Sequence, residues 1–126
     1  MMNRDEILRT PVSVEEMELR GIKGSAESFI KGAVYQFIAD QTEKTNGEVC
    51  FCIRDLLGGT NASWQNTPLQ YLYDYHIRNG KTKEDAYVQA AKDAGWLLKE
   101  VLYNDKRYNY EPSNDAWSAR NYTVTK

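Results

Sequence analysis

Apolar residues recur every three or four positions between residues 25 and 44, a spacing that places side chains on one face of an α-helix. Ser25 offers a hydroxyl at the expected N-cap, and Asn46 with Gly47 allows the chain to reverse after residue 44. The sequence therefore predicts a helix whose buried stripe consists of Phe29, Ile30, Ala33, Val34, Phe37 and Ile38.

Alternation of apolar and smaller residues follows at residues 49–53. Val49, Phe51 and Ile53 alternate with Cys50 and Cys52, which predicts a short strand with one apolar face. Residues 107–110 and 120–125 flank a turn-rich stretch at 112–115, a pattern typical of a hairpin. The strand and the hairpin together predict a small antiparallel sheet.

Two helices are predicted between that strand and the hairpin. Thr67 followed by Pro68 is typical of a helix start, and Asn79 with Gly80 is typical of a helix end. The apolar stripe of this first helix is Leu69, Leu72, Tyr73, His76 and Ile77.

The second of these helices is a long amphipathic run over residues 82–104. Thr82 opens it in the manner of a capping box, two residues after the previous helix ends, and this close spacing favours a helix-turn-helix. Gly95 lies inside the run and costs about 1 kcal/mol relative to alanine there. The sequence leaves open whether Gly95 divides the helix.

The N-terminal residues form a separate segment in this interpretation. Ser13 and Glu16 have the S-x-x-E spacing of a capping box, which predicts a helix of one or two turns. Gly21 and Gly24 make a longer helix costly. We therefore predict an N-terminal arm over residues 1–24 and an α+β, mostly helical domain over residues 25–126.

Composition excludes several classes of protein. The 126 residues are 41% hydrophobic and 27% charged, as in an ordinary globular domain, and no apolar run approaches the roughly 20 residues of a membrane span. The charged N-terminus lacks the apolar region of a secretion signal, so we expect a cytoplasmic protein without membrane contact. A formal net charge of −2 provides no bulk attraction to nucleic acid.

The residue types that carry catalysis or bind metals are sparse. Cys50, Cys52 and the single histidine, His76, cannot supply the four ligands of a structural zinc site. We expect both thiols to be reduced and buried or half-buried. No nucleophile motif accompanies His76, which favours a core or half-buried helix residue over a general base. The sequence predicts no enzyme, no metal and no cofactor.

Carboxylates on the helix over residues 82–104 argue against contact with DNA. Asp85, Asp93 and Glu100 fall at positions predicted to be exposed, beside Lys92 and Lys99. This pattern indicates a solvated face of mixed charge. A helix in the major groove tolerates few unpaired carboxylates next to phosphates.

Tyrosine is concentrated in the second half of the chain, where eight of the nine follow residue 70. Tyr71 and Tyr75 lie off the apolar stripe of their helix. Exposed tyrosine is typical of protein interfaces, because the ring supplies contact area at low entropic cost. The two rings therefore indicate either a protein-binding surface or ordinary packing.

The order of predicted elements resembles the winged helix superfamily over residues 25–126, with residues 49–56 as the first strand and the hairpin containing Tyr108 and Tyr122 as the wing. The run from Thr67 to Leu98 is similar to small uncharacterised proteins of Gram-positive bacteria and their phages. The resemblance implies a winged helix-turn-helix fold and binding of double-stranded DNA, commonly as a dimeric transcription regulator.

Two functions follow as hypotheses. In the first, a non-enzymatic bacterial or phage protein binds DNA through the helix over residues 82–104 and through the hairpin loop. Its candidate contacts are Lys81, Lys83, Lys99, Lys106, Arg107 and Arg120. In the second, a protein-interaction module of a phage or mobile element docks through Tyr71 and Tyr75.

Overall fold

The structure is a computed structural model that describes residues 10–44, 49–51, 56, 67–114 and 120–125. The described elements are α1 (Val12–Leu19), α2 (Lys23–Lys44), β1 (Val49–Phe51), α3 (Gln70–Arg78), α4 (Lys83–Asn104), β2 (Asn109–Asn114) and β3 (Arg120–Thr125). The prediction of a mostly helical α+β protein with a small antiparallel sheet is confirmed.

The three strands pair in the order β1-β3-β2, and both neighbouring pairs are antiparallel. Val49 pairs with Val124 and Phe51 pairs with Tyr122, so the strand before α3 lies against the second strand of the hairpin. Residues 52–53 of the predicted strand and the turn predicted at 46–47 lie outside the described residues.

The first strand of the hairpin extends further than the sequence indicated. Residues 112–114 belong to β2, where Pro112 pairs with Tyr122, so the prediction of a turn at these residues is wrong. Proline has no N–H to donate to a ladder, but β2 lies at an edge of the sheet, where such a residue is tolerated.

One hydrophobic core lies between the helices and the sheet, and every described element contributes to it. α1 takes part through Val14 and Met17, both 0% exposed, so the helix of the N-terminal arm packs on the body of the protein. The buried apolar residues that pack together in this core are Val14, Met17, Ala26, Ile30, Val34, Ile38, Val49, Phe51, Leu69, Leu72, Ala90, Ala94, Leu97, Leu98, Val101, Leu102, Tyr110 and Tyr122.

The start of α1 differs from the prediction. The carbonyl of Pro11 accepts the first turn's hydrogen bonds, from the backbone N–H groups of Val14 and Glu15, both at 3.0 Å. Ser13 lies inside the helix and is 2% exposed, so it does not cap it. The predicted capping box is wrong, because the Ser13 hydroxyl points into the protein.

α2 begins at Lys23, two residues before the predicted N-cap Ser25. Gly21, with φ of 75°, allows the sharp turn that separates α1 from α2. Of the predicted stripe, Ile30, Val34 and Ile38 are buried, Ala33 and Phe37 are half-buried, and Phe29 is 37% exposed.

The two helices that follow the described part of β1 are close in sequence and packed together. α3 begins at Gln70, three residues after the predicted N-cap Thr67. Gly80, with φ of 89°, follows the end of α3, as predicted. Thr82 caps α4, since its Oγ1 accepts the Asp85 N–H at 3.2 Å, and α4 continues unbroken through Gly95.

Candidate functional site

The basic residues predicted to contact DNA fall into separate groups. Lys81 and Lys83 lie at the N-terminal end of α4, and Lys106 and Arg107 follow its C-terminal end; all four are exposed. α4 contains 22 residues, so about 33 Å separate these ends. The structure brings Lys106 and Arg107 together and keeps them far from Lys81 and Lys83.

The two remaining candidates lie elsewhere. Lys99 is half-buried in the C-terminal half of α4. Arg120 is the first residue of β3 and pairs with Asn114, so its backbone lies at the opposite end of the hairpin from Arg107. Its side chain lies outside the described part of the structure.

Two of the three carboxylates predicted to be solvated on α4 point inward. Asp93 is 7% exposed, and the side chain of Glu100 is 20% exposed. Asp85 alone of the three is exposed. The predicted mixed-charge face is therefore wrong at Asp93 and Glu100.

Asp93 is buried where side chains from two other helices satisfy its hydrogen bonds. Its Oδ2 accepts hydrogen bonds from Ser13 Oγ of α1 at 2.5 Å and from His76 Nε2 of α3 at 2.7 Å. An ionised carboxylate only accepts hydrogen bonds, so Nε2 of His76 carries the proton. This cluster of Ser13, His76 and Asp93 joins α1, α3 and α4.

The cluster contains the residue types of a catalytic triad but not its arrangement. In a triad the imidazole stands between hydroxyl and carboxylate and takes the proton from the hydroxyl. Here the carboxylate stands in the middle, and Ser13 donates to Asp93 rather than to His76. Ser13 is also 2% exposed, so a substrate has no access to its hydroxyl. His76 is half-buried, as predicted.

Glu100 is drawn inward by Lys23 of α2. Lys23 Nζ donates to Glu100 Oε1 at 3.1 Å and lies 5.8 Å from the ring centroid of Trp96. Burial lowers the pKa of Lys23, but the hydrogen bond to Glu100 and the nearby carboxylates outweigh it, so the pKa is raised overall. The ion pair between Glu100 and Lys23 therefore holds α4 against α2.

Glu27 of α2 lies near this ion pair and provides a test by pH. Burial, and then the charge of Glu100, raise the pKa of Glu27 above its ordinary value of 4.5. The folded state therefore binds more protons than the unfolded state between about pH 4.5 and the raised pKa, and stability falls as the pH rises through that window. We expect Glu27→Gln to be more stable than the unmodified protein at pH 7, with the difference vanishing near pH 4.

Urea denaturation of both proteins across this pH range measures the effect. Glu84→Gln is the matched control, since Glu84 is exposed in the first turn of α4. The helix dipole favours a carboxylate there, so this variant is expected to be slightly less stable at pH 7. Loss of stability in Glu27→Gln at pH 7 would contradict the interpretation of Glu27.

The outward side of α4 carries a basic residue, Lys92, that the sequence did not single out as a candidate contact. Lys92 follows Val88 by four residues and precedes Lys99 by seven, which places all three on one side of the helix. Val88 is 49% exposed and Lys92 is exposed. Among the described residues, no ion pair involves Lys92 or Lys99. Lys92 was not chosen as a candidate contact because Asp93, the next residue, was expected to lie in solvent on the same mixed-charge face.

Tyr71 and Tyr75 both make contacts within the protein. The Tyr71 hydroxyl donates to Glu16 of α1 at 3.2 Å, and the guanidinium groups of Arg20 and Arg78 lie 6.0 and 5.4 Å from its ring centroid. The Tyr75 ring lies edge-on to His76, with centroids 5.1 Å apart. Burial raises the pKa of Tyr75. Both tyrosines are half-buried.

Aromatic rings surround the basic pair after α4. The Arg107 guanidinium carbon lies 4.4 Å from the ring centroid of Tyr35 and 5.7 Å from that of Tyr108. Lys106 Nζ lies 5.5 Å from the ring centroid of Tyr103. We call these five residues the aromatic-basic cluster. The cluster joins α2, the end of α4 and the start of β2.

Cys50 is exposed, so the prediction that its thiol is at least half-buried is wrong. β1 alternates, with Val49 and Phe51 facing the core and Cys50 facing outward. Its Sγ lies 3.3 Å from Thr123 Oγ1 on the neighbouring strand. Cys52 lies outside the described residues. In the part of the chain that the structure describes, no three His, Cys, Asp or Glu side chains are grouped so as to hold a metal ion.

Comparisons with known proteins found no relative. No protein-family model matches the chain, and neither a curated protein nor a solved structure matches it. None of the helices in the described ranges is long and apolar enough to cross a membrane.

Proposed function

We propose that the protein is a non-enzymatic, winged-helix DNA-binding protein of a bacterium or phage, acting in the cytoplasm as a transcription regulator. The surface proposed to contact DNA is the outward side of α4, together with the hairpin of β2 and β3. The contacts are proposed to come from Lys81, Lys83, Lys92 and Lys99 along the helix, from Lys106 and Arg107 after it, and from Arg120 in the hairpin.

The order and pairing of the elements support this proposal. A winged helix has a strand before its helix-turn-helix and a hairpin after it, joined in one sheet. Here β1 precedes α3 and α4, the hairpin follows them, and β3 lies between β1 and β2. Four residues separate α3 from α4, a short connection of the kind found in helix-turn-helix motifs. Fold by itself does not establish function.

The observation that carries the proposal is the charge on the outward side of α4. In the sequence, Asp93 and Glu100 weigh against contact with phosphates. In the folded protein Asp93 bonds to Ser13 and His76, and Glu100 bonds to Lys23. The same turns of α4 therefore present their lysines outward without these carboxylates beside them in solvent. On α4, the exposed carboxylates that would repel phosphates are reduced to Glu84 and Asp85 in the first turn.

A salt series with mixed-sequence duplex DNA tests the proposal. Each neutralised phosphate contributes about −0.9 to the slope of log affinity against log salt, so the seven proposed contacts predict a loss of roughly 10³- to 10⁴-fold between 50 and 200 mM salt. Fluorescence anisotropy of a labelled duplex measures it. We expect Lys92→Glu to weaken binding at least tenfold at 100 mM salt, since it replaces an attraction by a repulsion on the proposed surface.

Arg20→Glu is the matched control. Arg20 is exposed at the end of α1, outside the proposed surface. Its replacement by glutamate changes the net charge by the same amount as Lys92→Glu. An equal effect of both variants would mean that net charge, and not a defined face, governs binding. Absence of duplex binding at 50 mM salt would rule out the proposed function.

The alternative proposal, a protein-interaction module docking through Tyr71 and Tyr75, has weaker support. The Tyr71 hydroxyl is bonded to Glu16, and two arginines lie over its ring. A partner would have to compete with these contacts. Exposed aromatic area at this position is therefore smaller than the sequence indicates.

A further inference from the structure

The guanidinium of Arg107 lies within contact distance of two tyrosine rings where the chain passes from α4 to β2. Its central carbon is 4.4 Å from the Tyr35 centroid and 5.7 Å from the Tyr108 centroid. Arg107 is nevertheless exposed, so the rings hold the guanidinium without covering it.

The backbone of Arg107 is fixed as well as its side chain. Its N–H donates to Asp105 Oδ1 at 3.0 Å, and the hydroxyl of the buried Tyr110 donates to Asp105 Oδ2 at 2.7 Å. Asp105 is 7% exposed. This carboxylate links the end of α4 to β2 and fixes the position of the Arg107 backbone.

Among the described residues no ion pair includes Arg107, and Asp105 is the nearby carboxylate whose charge acts on it. Asp105, two residues away, is buried and already accepts two hydrogen bonds. Lys106 is also exposed, and its Nζ donates to the backbone carbonyl of Tyr103 at 3.4 Å. Two adjacent cations therefore face solvent with their charges available.

A guanidinium held in this way is suited to bind a phosphate. The planar group offers N–H donors in a fork that matches two phosphate oxygens, and a stacked arginine loses less side-chain entropy on binding than a mobile one. Cation–π contacts at exposed sites contribute only about 0.5–1 kcal/mol, so the folded state gains little stability from holding this guanidinium at the surface.

We propose that the aromatic-basic cluster is a phosphodiester-binding site at the base of the hairpin, in which Arg107 contacts the phosphate and Tyr35 is a positioning residue that orients the guanidinium. Lys106 adds a second, less directional attraction. The inference rests on the proposed function and assigns part of the affinity to a residue of α2, Tyr35, that no motif singled out. It also predicts that lysine cannot replace Arg107 fully.

Four single variants test the site by anisotropy with duplex DNA over a salt series. Arg107→Ala is expected to reduce the magnitude of the salt slope by about one, because one phosphate contact is lost. Arg107→Lys should keep most of the slope but lose about threefold or more in affinity, since the charge stays and the fork is lost. A salt slope and affinity unchanged in Arg107→Ala would overturn the proposal.

Tyr35 is tested with a conservative pair. Tyr35→Phe keeps the ring and should retain affinity within about twofold, whereas Tyr35→Leu removes the ring and should weaken binding about as much as Arg107→Lys. Thermal melting followed by circular dichroism verifies that each variant is folded. Equal affinities of the Phe and Leu variants would show that Tyr35 does not position Arg107.

A second measurement separates this site from the proposed function. The Nε–Hε signal of Arg107 in an NMR spectrum is followed during titration with duplex DNA, a single-stranded oligonucleotide and inorganic phosphate. A shift with single strand or phosphate, together with no duplex binding by anisotropy, would support the site and overturn duplex binding as the function. Duplex binding without a shift of this signal would overturn the site and leave the function standing. No shift with any of the three, together with no duplex binding by anisotropy, would overturn both.

Discussion

Replacing Phe51 by alanine is expected to lower the free energy of unfolding by about 3–5 kcal/mol, a large fraction of the roughly 5–15 kcal/mol that stabilises a typical domain. Phe51 is 1% exposed in β1. Its ring lies 5.9 Å from Phe37, 6.3 Å from Tyr110 and 5.9 Å from Tyr122, measured between centroids. Truncation would remove three aromatic contacts and leave a cavity between α2 and the sheet.

Urea denaturation followed by circular dichroism measures this loss, and Phe29→Ala is its matched control. Phe29 is 37% exposed on α2, so the same substitution should cost about 1 kcal/mol or less. Equal losses in the two variants would show that Phe51 is not the centre of the aromatic packing. Because Phe51 pairs with Tyr122, the variant should also loosen the hairpin and weaken any DNA contact that the hairpin makes.

Asp93→Ala is expected to cost about 2–4 kcal/mol, although its position in α4 looks solvated in the sequence. The substitution leaves the buried Ser13 hydroxyl and the half-buried His76 imidazole without their acceptor. An unpaired buried polar group costs about 1–3 kcal/mol, and Ser13 should bear the full cost while the half-buried His76 bears less. Denaturation at pH 7 measures the total, and hydrogen exchange shows whether α1 opens more readily once Ser13 is released.

Asp85→Ala is the control for this prediction, because Asp85 is an exposed aspartate of the same helix. Its carboxylate favours the N-terminal end of the helix dipole, and its loss should cost about 0.3–1 kcal/mol. A change of under 1 kcal/mol in Asp93→Ala would mean that water replaces Asp93 as the partner of both groups. The hydrogen-bonded cluster would then not be what holds α1 against α3 and α4.

These two variants separate two parts of the architecture that position the proposed DNA-binding surface. Phe51 joins the sheet to α2, whereas Asp93 joins α1 and α3 to α4. If the outward side of α4 binds DNA, both variants should reduce affinity only in proportion to the fraction of protein that is unfolded. Phe51→Ala should lose, in addition, any DNA contact that the loosened hairpin makes. Lys92 differs, since it is exposed and its substitution should weaken binding without changing stability.

Features that depend on neighbouring residues were predictable. Gly80 and Thr82 mark the end of α3 and the start of α4 because positive φ and N-capping are local requirements. The alternation of Val49, Cys50 and Phe51 predicted which side of β1 faces the core. The predicted hairpin is present as β2 and β3, although β2 includes three residues that were expected to form a turn.

Features that depend on distant partners were not predictable. Ser13 and Glu16 have the spacing of a capping box, yet the partner of the Ser13 hydroxyl is Asp93, 80 residues away in the chain. Lys92 is basic in the sequence, but its availability to a phosphate depends on Asp93 turning inward. Arg107 is likewise basic in the sequence, whereas the ring that orients it belongs to Tyr35, on a different helix.

The sequence by itself determined the succession of helices and strands and, for most of them, which side is buried. Periodicity, caps and glycine positions act over a few residues and are therefore visible in the sequence. Only the tertiary structure decided which charges on α4 remain in solvent and which cations are held in place. A carboxylate can be buried only where donors such as Ser13, His76 or Lys23 are brought to it by other helices. The charge of the outward surface is therefore a property of the packed helices, and the pattern along α4 alone does not contain it.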